Sequence, residues 1–158
     1  ALDKCELDLV LGRFDELPAR FARRHWMSET LKLAARNDHP LLQEPPDLSV
    51  FLRLRHLWVH GGQTRGMVDQ WLGEQGLSRQ ILYTTPNYLQ AAHIVAGSEL
   101  TAVLPTALAR HFASLLPLRL FDLPFTLGPF HLEVVSLAQR QRDAALQWLI
   151  EEIIAVAG

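Results

Sequence analysis

Cysteine is almost missing from this chain. Cys5 stands alone, so no intrachain disulfide can form, and zinc sites built on several cysteines are excluded. A lone thiol reads as a small buried hydrophobe before it reads as a nucleophile. No run of 18 apolar residues occurs, so no membrane span is expected. No basic stretch followed by an apolar one opens the chain; nothing directs secretion, and the cytoplasm is the expected compartment. An excess of basic charge is missing too. Lys and Arg number 15 against 17 Asp and Glu, for a net charge of −2. Duplex affinity rests on clustered cations, so this chain by itself is not expected to bind nucleic acid. The one local basic cluster, Arg20, Arg23, Arg24 and His25, reads as a solvated strand edge or loop.

What is present is an ordinary globular composition: 158 residues, 49% hydrophobic and 20% charged, long enough for one domain or two small lobes. The opening "CELDLVLGRFDEL" is strand-like and lacks an initiator methionine, the pattern expected of a piece that begins inside a fold. Leu7 to Leu11 reads as a buried strand closed by Gly12, and residues 20–36 as two further extended pieces, the second ending at His39-Pro40. Asp47 is a good N-cap for the short apolar turn "LSVFLRLR". From residue 56 the pattern changes. "HLWVH", "RQILYTT" and "LTAVL" are strand-like, and a helical pattern follows each. Met67, Val68, Trp71 and Leu72 fall at helical spacing with Gly76 at the C-cap, and Thr64 can cap that helix. Thr85 can cap the next helix with Pro86 at its first helical position, and Pro105 opens the third. Three strand–turn–helix units in succession argue for parallel βα units in an α/β fold. "LRLFDLP" and "HLEVVSL" are further strands. The closing helix runs from Asp143 towards Gly158, with a stripe of Leu146, Leu149, Ile150 and Ile153. Trp71 and Trp148 are expected in the core, and His93 as a hydrogen-bonded packing residue.

Three chemistries compete for "HLWVHGGQTRGMVDQWL", residues 56–72. His56 and His60 are four apart, which converges on one ion only in a helix; in a strand they lie about 13 Å apart, so no metal is expected. His60-Gly61-Gly62 resembles a lipase oxyanion loop, yet no serine sits in a G-x-S-x-G elbow, and no catalytic residues can be named. The third reading is an anion cradle. "GGQT" leads a strand into a helix near Arg65, which points free backbone N–H groups and the positive end of the helix dipole at the turn. Gln63 and Arg65 add side-chain donors. "TTPNY" is a second such turn, with Thr85, Asn87 and Tyr88 as polar candidates. Parallel α/β sheets collect ligands at the carboxyl ends of their strands, where such turns lie. The competing explanation is that both turns only cap their helices.

Read in order, "ELDLVLG", "ETLKLAARNDHPL", "LRHLWVHGG…GMVDQWLGEQGLSRQI", "AAHIVAGSELTAVLPTALA" and "RDAALQWLIEEI" resemble the effector-binding domain of LysR-type transcriptional regulators. The resemblance runs over nearly the whole chain, with "ARNDHPL", "IVAGSELTAVLP" and the helix around Trp148-Leu149 its most specific parts. The pieces are most similar to the branch that answers to aromatic acids and flavonoids.

The resemblance implies an α/β fold like that of type II periplasmic binding proteins, with two lobes joined by two crossover strands, here "TLKLAARND" and "HLEVVSLA". It assigns residues 1–38 and 131–158 to an incomplete first lobe, without the family's opening strand–helix–strand part, and residues 39–130 to the second. It implies a sensor rather than an enzyme, with no cofactor. A small carboxylate or aromatic effector would lie between the lobes against Gln63, Thr64, Arg65 and Gly66, near Thr85 and Asn87, with Met27 and Glu29 facing the same cleft. Glu29 would repel an anionic effector unless it pairs with Arg65. DNA would be reached only through a helix-turn-helix domain absent from this chain, no membrane is implied, and the intact protein is expected to be a homo-oligomer. An α/β enzyme acting on a small carboxylate and a solute-binding protein of a transport system are the alternatives.

Overall fold

The computed structural model describes residues 2, 6–14, 16–60 and 66–156. Its first elements are β1 (Leu9–Gly12), β2 (Phe21–Glu29), β3 (Leu31–Arg36), α1 (Leu48–Arg53), β4 (Arg55–Val59), α2 (Met67–Glu74) and β5 (Gln80–Thr85). Then follow α3 (Tyr88–Ala96), β6 (Leu100–Pro105), α4 (Thr106–Leu115), β7 (Leu118–Phe121), β8 (Phe130–Leu137) and α5 (Ala144–Val156). The chain divides into two compact units, Ala1–Glu29 with Pro129–Gly158, and Thr30–Gly128. Among the described residues no helix is long and apolar enough to cross a membrane.

The second unit grows from the three βα units. β4 pairs in parallel with β5 and with β6, as the strand–turn–helix repeat predicts. β3 then pairs antiparallel with β6 and β7, completing the order β5-β4-β6-β3-β7. Residues 31–36 therefore lie in the second unit's sheet by backbone pairing, where the sequence reading groups them with the first lobe. Alternation along β3 sends Ala34 to one face and Leu33 and Ala35 to the other. On the first face Ala34, Leu57, Ala102 and Leu104 meet Ala91, Ala92 and Val95 of α3 and Ala109 and Phe112 of α4. The second face packs Leu33 and Ala35 with Phe51 of α1 and Val68 and Leu72 of α2.

Caps end these helices as local chemistry requires. Asp47 Oδ1 accepts from Val50 N at 2.7 Å and starts α1. Gly76 takes φ 68° just after α2, a conformation open to glycine at little cost. Two capping expectations shift. α2 starts from Gly66 with no side-chain cap, and Thr64, the expected cap, lies outside the described residues. Asn87, not Thr85, caps α3, because Thr85 is still paired in β5.

The first unit is a three-stranded antiparallel sheet, β1-β8-β2, with a bulge between His25 and Met27. α5 packs on it through Leu146 and Ile150 against Val134, and Trp26 Nε1 donates to the Ile153 carbonyl at 3.2 Å. Several apolar expectations fail here. Leu7 and Leu11 are about half exposed at a sheet edge, and Leu149 and Trp148 point away from the stripe that Leu146 and Ile150 bury, Trp148 with 62% of its surface exposed. His93, on α3 in the second unit, is also exposed rather than packed.

Candidate functional site

The carboxyl ends of β4 and β5 lie side by side. Val59 is in register with Thr85, and one residue on, His60 N donates to the Thr85 carbonyl at 3.0 Å. Each strand turns there into its own helix, so the starts of α2 and α3 gather at one end of the sheet. Gly66 is the N-cap of α2, Asn87 that of α3, and Thr85 closes β5. Gln63, Thr64 and Arg65 lie outside the described residues.

At the β5–α3 turn, Thr85 is 2% exposed. Its hydroxyl donates to Gln90 Oε1 at 2.6 Å and accepts from Asn87 N at 3.2 Å. Asn87 Oδ1 accepts from Gln90 N at 3.1 Å, the N-cap bond that holds the first turn of α3. Thr85, Asn87 and Gln90 thus form one polar cluster. The "NYLQ" spacing, Asn with Gln three residues on as in a capping box, is the signal by which the sequence could have supplied Gln90, although Gln90 Oε1 accepts from Thr85 and not from Asn87 N.

At the β4–α2 turn, a side chain on Gly66 would crowd the Trp58 ring. A Cβ there would come within 3.1 Å of Trp58 Nε1 and 3.5 Å of Asp69 Oδ2. Trp58 in turn stacks on His60, their ring centroids 4.7 Å apart at 27°. Below them on the same strand face His56 is fully buried. Its Nε2 donates to the Phe51 carbonyl at 2.9 Å, which leaves Nδ1 to accept from the Thr101 hydroxyl at 3.2 Å. Burial is the main cause of a pKa lowered to about 4, so the ring is neutral. Both nitrogens are engaged in the core, and His56 is no ligand.

Sequence reasoning missed one pair. Arg79, in the loop after α2, reaches back to Asp69 in that helix's first turn. Nε donates to Oδ1 at 2.7 Å and Nη2 to Oδ2 at 2.8 Å, a bidentate contact with the Arg79 side chain only 3% exposed. No periodicity marks residues ten apart across a helix end, so only the folded return of the chain shows it.

Another polar cluster opens α4. Thr30 and Thr106 hydroxyls lie 2.7 Å apart, and Thr106 N donates to the Thr30 carbonyl at 2.9 Å. In the first unit, Met27 and Glu29 share one face of β2, opposite Leu132 and Phe130 of β8. Glu29 is 8% exposed.

With this geometry in place, known proteins can be compared. The model of the LysR substrate binding domain matches residues 1–158. The HTH-type transcriptional regulator SyrM 1 of Sinorhizobium fredii is 29% identical over 158 residues, covering 99% of this chain and 47% of that protein. The chain thus spans about half the length of such curated relatives. Among solved structures, a probable transcriptional regulator from Pseudomonas aeruginosa superposes with a TM-score of 0.88 at 29% identity, over 96% of this chain and 50% of that one. The CcmR regulatory domain of Synechocystis PCC6803, solved with 2-PG, shares the fold with a TM-score of 0.78 at 16% identity, over 99% of this chain and 76% of its own.

Proposed function

We propose, because this chain belongs to the LysR substrate-binding domain family, that it is the effector-sensing part of a LysR-type DNA-binding transcriptional regulator. The effector is a small carboxylate or aromatic ligand, held at the carboxyl ends of β4 and β5. One observation supports this reading: β4 and β5 pair in parallel, and α2 and α3, the helices that follow them, start from Gly66 and Asn87. Gln63, Thr64, Arg65 and Gly66 supply donors at the first entrance, Thr85 and Asn87 at the second. Met27 and Glu29 are the first unit's candidates for facing the effector. The regulatory domain of CcmR, with the same fold, was solved with 2-PG, itself an anion.

The domain acts by unequal affinity. An effector that binds one conformation better than another shifts the population towards it, by no more than its difference in binding free energy. The DNA-binding part, a cytoplasmic location and a homo-oligomer belong to the same reading of the longer protein. The chain is a sensor, and no step of catalysis is assigned to it. The test is a thermal-shift screen of aromatic and aliphatic carboxylates. A true effector at 100 times its Kd adds about 2.7 kcal/mol of stability, and Arg65→Ala abolishes the gain. If Arg65→Ala leaves every stabilising ligand unaffected, the site lies elsewhere.

A further inference from the structure

The first unit's sheet gathers two histidines from opposite ends of the chain on the face away from α5. His25 on β2 lies opposite Glu133 of β8, and Ser28 lies opposite His131. Glu133 and His131 are two apart and share a face, so His25 and Ser28 share it as well. Residues three apart on a regular strand point to opposite faces. The bulge between His25 and Met27 is what turns His25 to the side of Ser28. The two imidazole rings stand 5.3 Å apart, centroid to centroid, with their planes at 75°. Two imidazoles bound to one tetrahedral ion through nitrogens at about 2.0–2.1 Å have centroids about 5 Å apart. Ser28 Oγ and His131 Nδ1 are hydrogen-bonded at 3.0 Å. With Nδ1–H donating, His131 keeps the lone pair of Nε2, and the serine holds the ring as an outer partner holds a metal-binding histidine. Arg23 shares this face, but Glu133 answers its charge at 2.8 Å. Arg24 lies opposite Val134 and so belongs to the other face.

We propose that His25 and His131 form a binding site for a d-block dication such as zinc, copper(II) or nickel, with Ser28 as the positioning residue of His131. Imidazole suits these ions, whereas magnesium and calcium take oxygen ligands. The protein supplies two ligands and water the rest, since among the described residues no group of three or more His, Cys, Asp or Glu could hold an ion. A bound ion clamps β2 to β8 in the unit with the smaller buried cluster, so it stabilises that unit by mass action. The site is independent of the effector reading above.

The experiment titrates zinc chloride into the tag-free 158-residue chain carrying Cys5→Ser, which removes the competing thiol. His25→Gln, His131→Gln and Ser28→Ala are made in that background, and binding is read by calorimetry and by thermal unfolding, with magnesium as the control. The parent is expected to bind zinc with a Kd of about 10–100 µM, weak beside a four-ligand site because only two protein ligands hold it. Each histidine variant is expected to lose at least about tenfold in affinity together with the zinc-dependent rise in Tm, and Ser28→Ala to lose about threefold to tenfold. Magnesium is expected to bind none of them. Both histidines are exposed, so their replacement leaves the fold intact and the affinities comparable. Zinc bound equally by the parent and both histidine variants sits on other histidines and overturns the site. Absence of zinc binding up to about 1 mM overturns it too. A loss in the histidine variants with none in Ser28→Ala overturns the positioning role alone.

Discussion

The two units of this chain solve the same burial problem with unequal means. In the second, helices cover both faces of the sheet, and the two clusters hold ten and eight buried residues among those described. In the first, the cluster under α5 has three. The sequence is arranged unequally as well. The second unit is one continuous stretch of chain, whereas the first draws its strands from both ends. Arg23 on β2 and its partner Glu133 on β8 are 110 residues apart. Closing a loop that long costs about 4 kcal/mol of chain entropy, and the cost falls on the unit with the smaller core. The lesson concerns where function can sit: helix entrances for ligand need a rigid support, and the second unit provides it.

The contrast is broken most directly by truncating one residue in each core. Phe51 is fully buried, packs against His56 at 4.7 Å and Phe125 at 5.3 Å, and belongs to the eight-residue cluster of the second unit's core. Phe51→Ala is expected to cost about 3–5 kcal/mol in urea unfolding, the range for a buried aromatic that leaves a cavity. A loss below 1 kcal/mol would mean that this face of the sheet collapses easily and the second unit is not the rigid one.

Acid tests the same core from the side of charge. The His56 pKa is lowered to about 4 from an ordinary 6.5. The unfolded chain therefore binds a proton at higher pH than the native one. Above pH 6.5 the ring is neutral in both states, and stability is lost as pH falls from 6.5 towards 4. That loss amounts to about 3 kcal/mol. Comparing urea midpoints at pH 7.5 and 4.5 for wild type and His56→Gln checks it, since the variant should lose this part of the slope. If both proteins keep the same pH dependence, other groups carry the acid sensitivity.

In the first unit the effect is smaller. Val134 is 2% exposed between β8 and α5. Val134→Ala is expected to cost about 2 kcal/mol, and native-state hydrogen exchange should show β1 and β2 opening before β4 and β6. Equal protection in both sheets would erase the difference between the units.

How much of this was legible beforehand follows from how far each signal reaches along the chain. The βα units were readable because Pro105, Gly76 and the strand-like run "LTAVL" act within a few residues. The family resemblance was readable because it rests on ordered local pieces. The first unit was harder. Leu7, Leu11 and Trp148 look like core by residue type, yet burial there depends on pairing between distant chain ends, which leaves all three largely at the surface. At the β5–α3 turn, Thr85 was read as the cap where Asn87 is, because whether β5 extends through Thr85 depends on β4 beside it. The Asp69–Arg79 pair had no sequence signal at all.

The smallest expected effect is the most telling for function. Asn87 caps α3 through its Oδ1, and a cap alone accounts for that residue without any ligand. Asn87→Asp separates the two roles. Aspartate keeps the acceptor and adds a negative charge at the positive end of the helix, so stability should hold or rise by a few tenths of a kcal/mol. The same charge beside a bound anion should weaken its affinity severalfold. Unfolding curves and anion titrations on this one variant therefore move in opposite directions if the β5–α3 turn faces an anionic effector. If stability holds and affinity is unchanged, the turn serves only its helix.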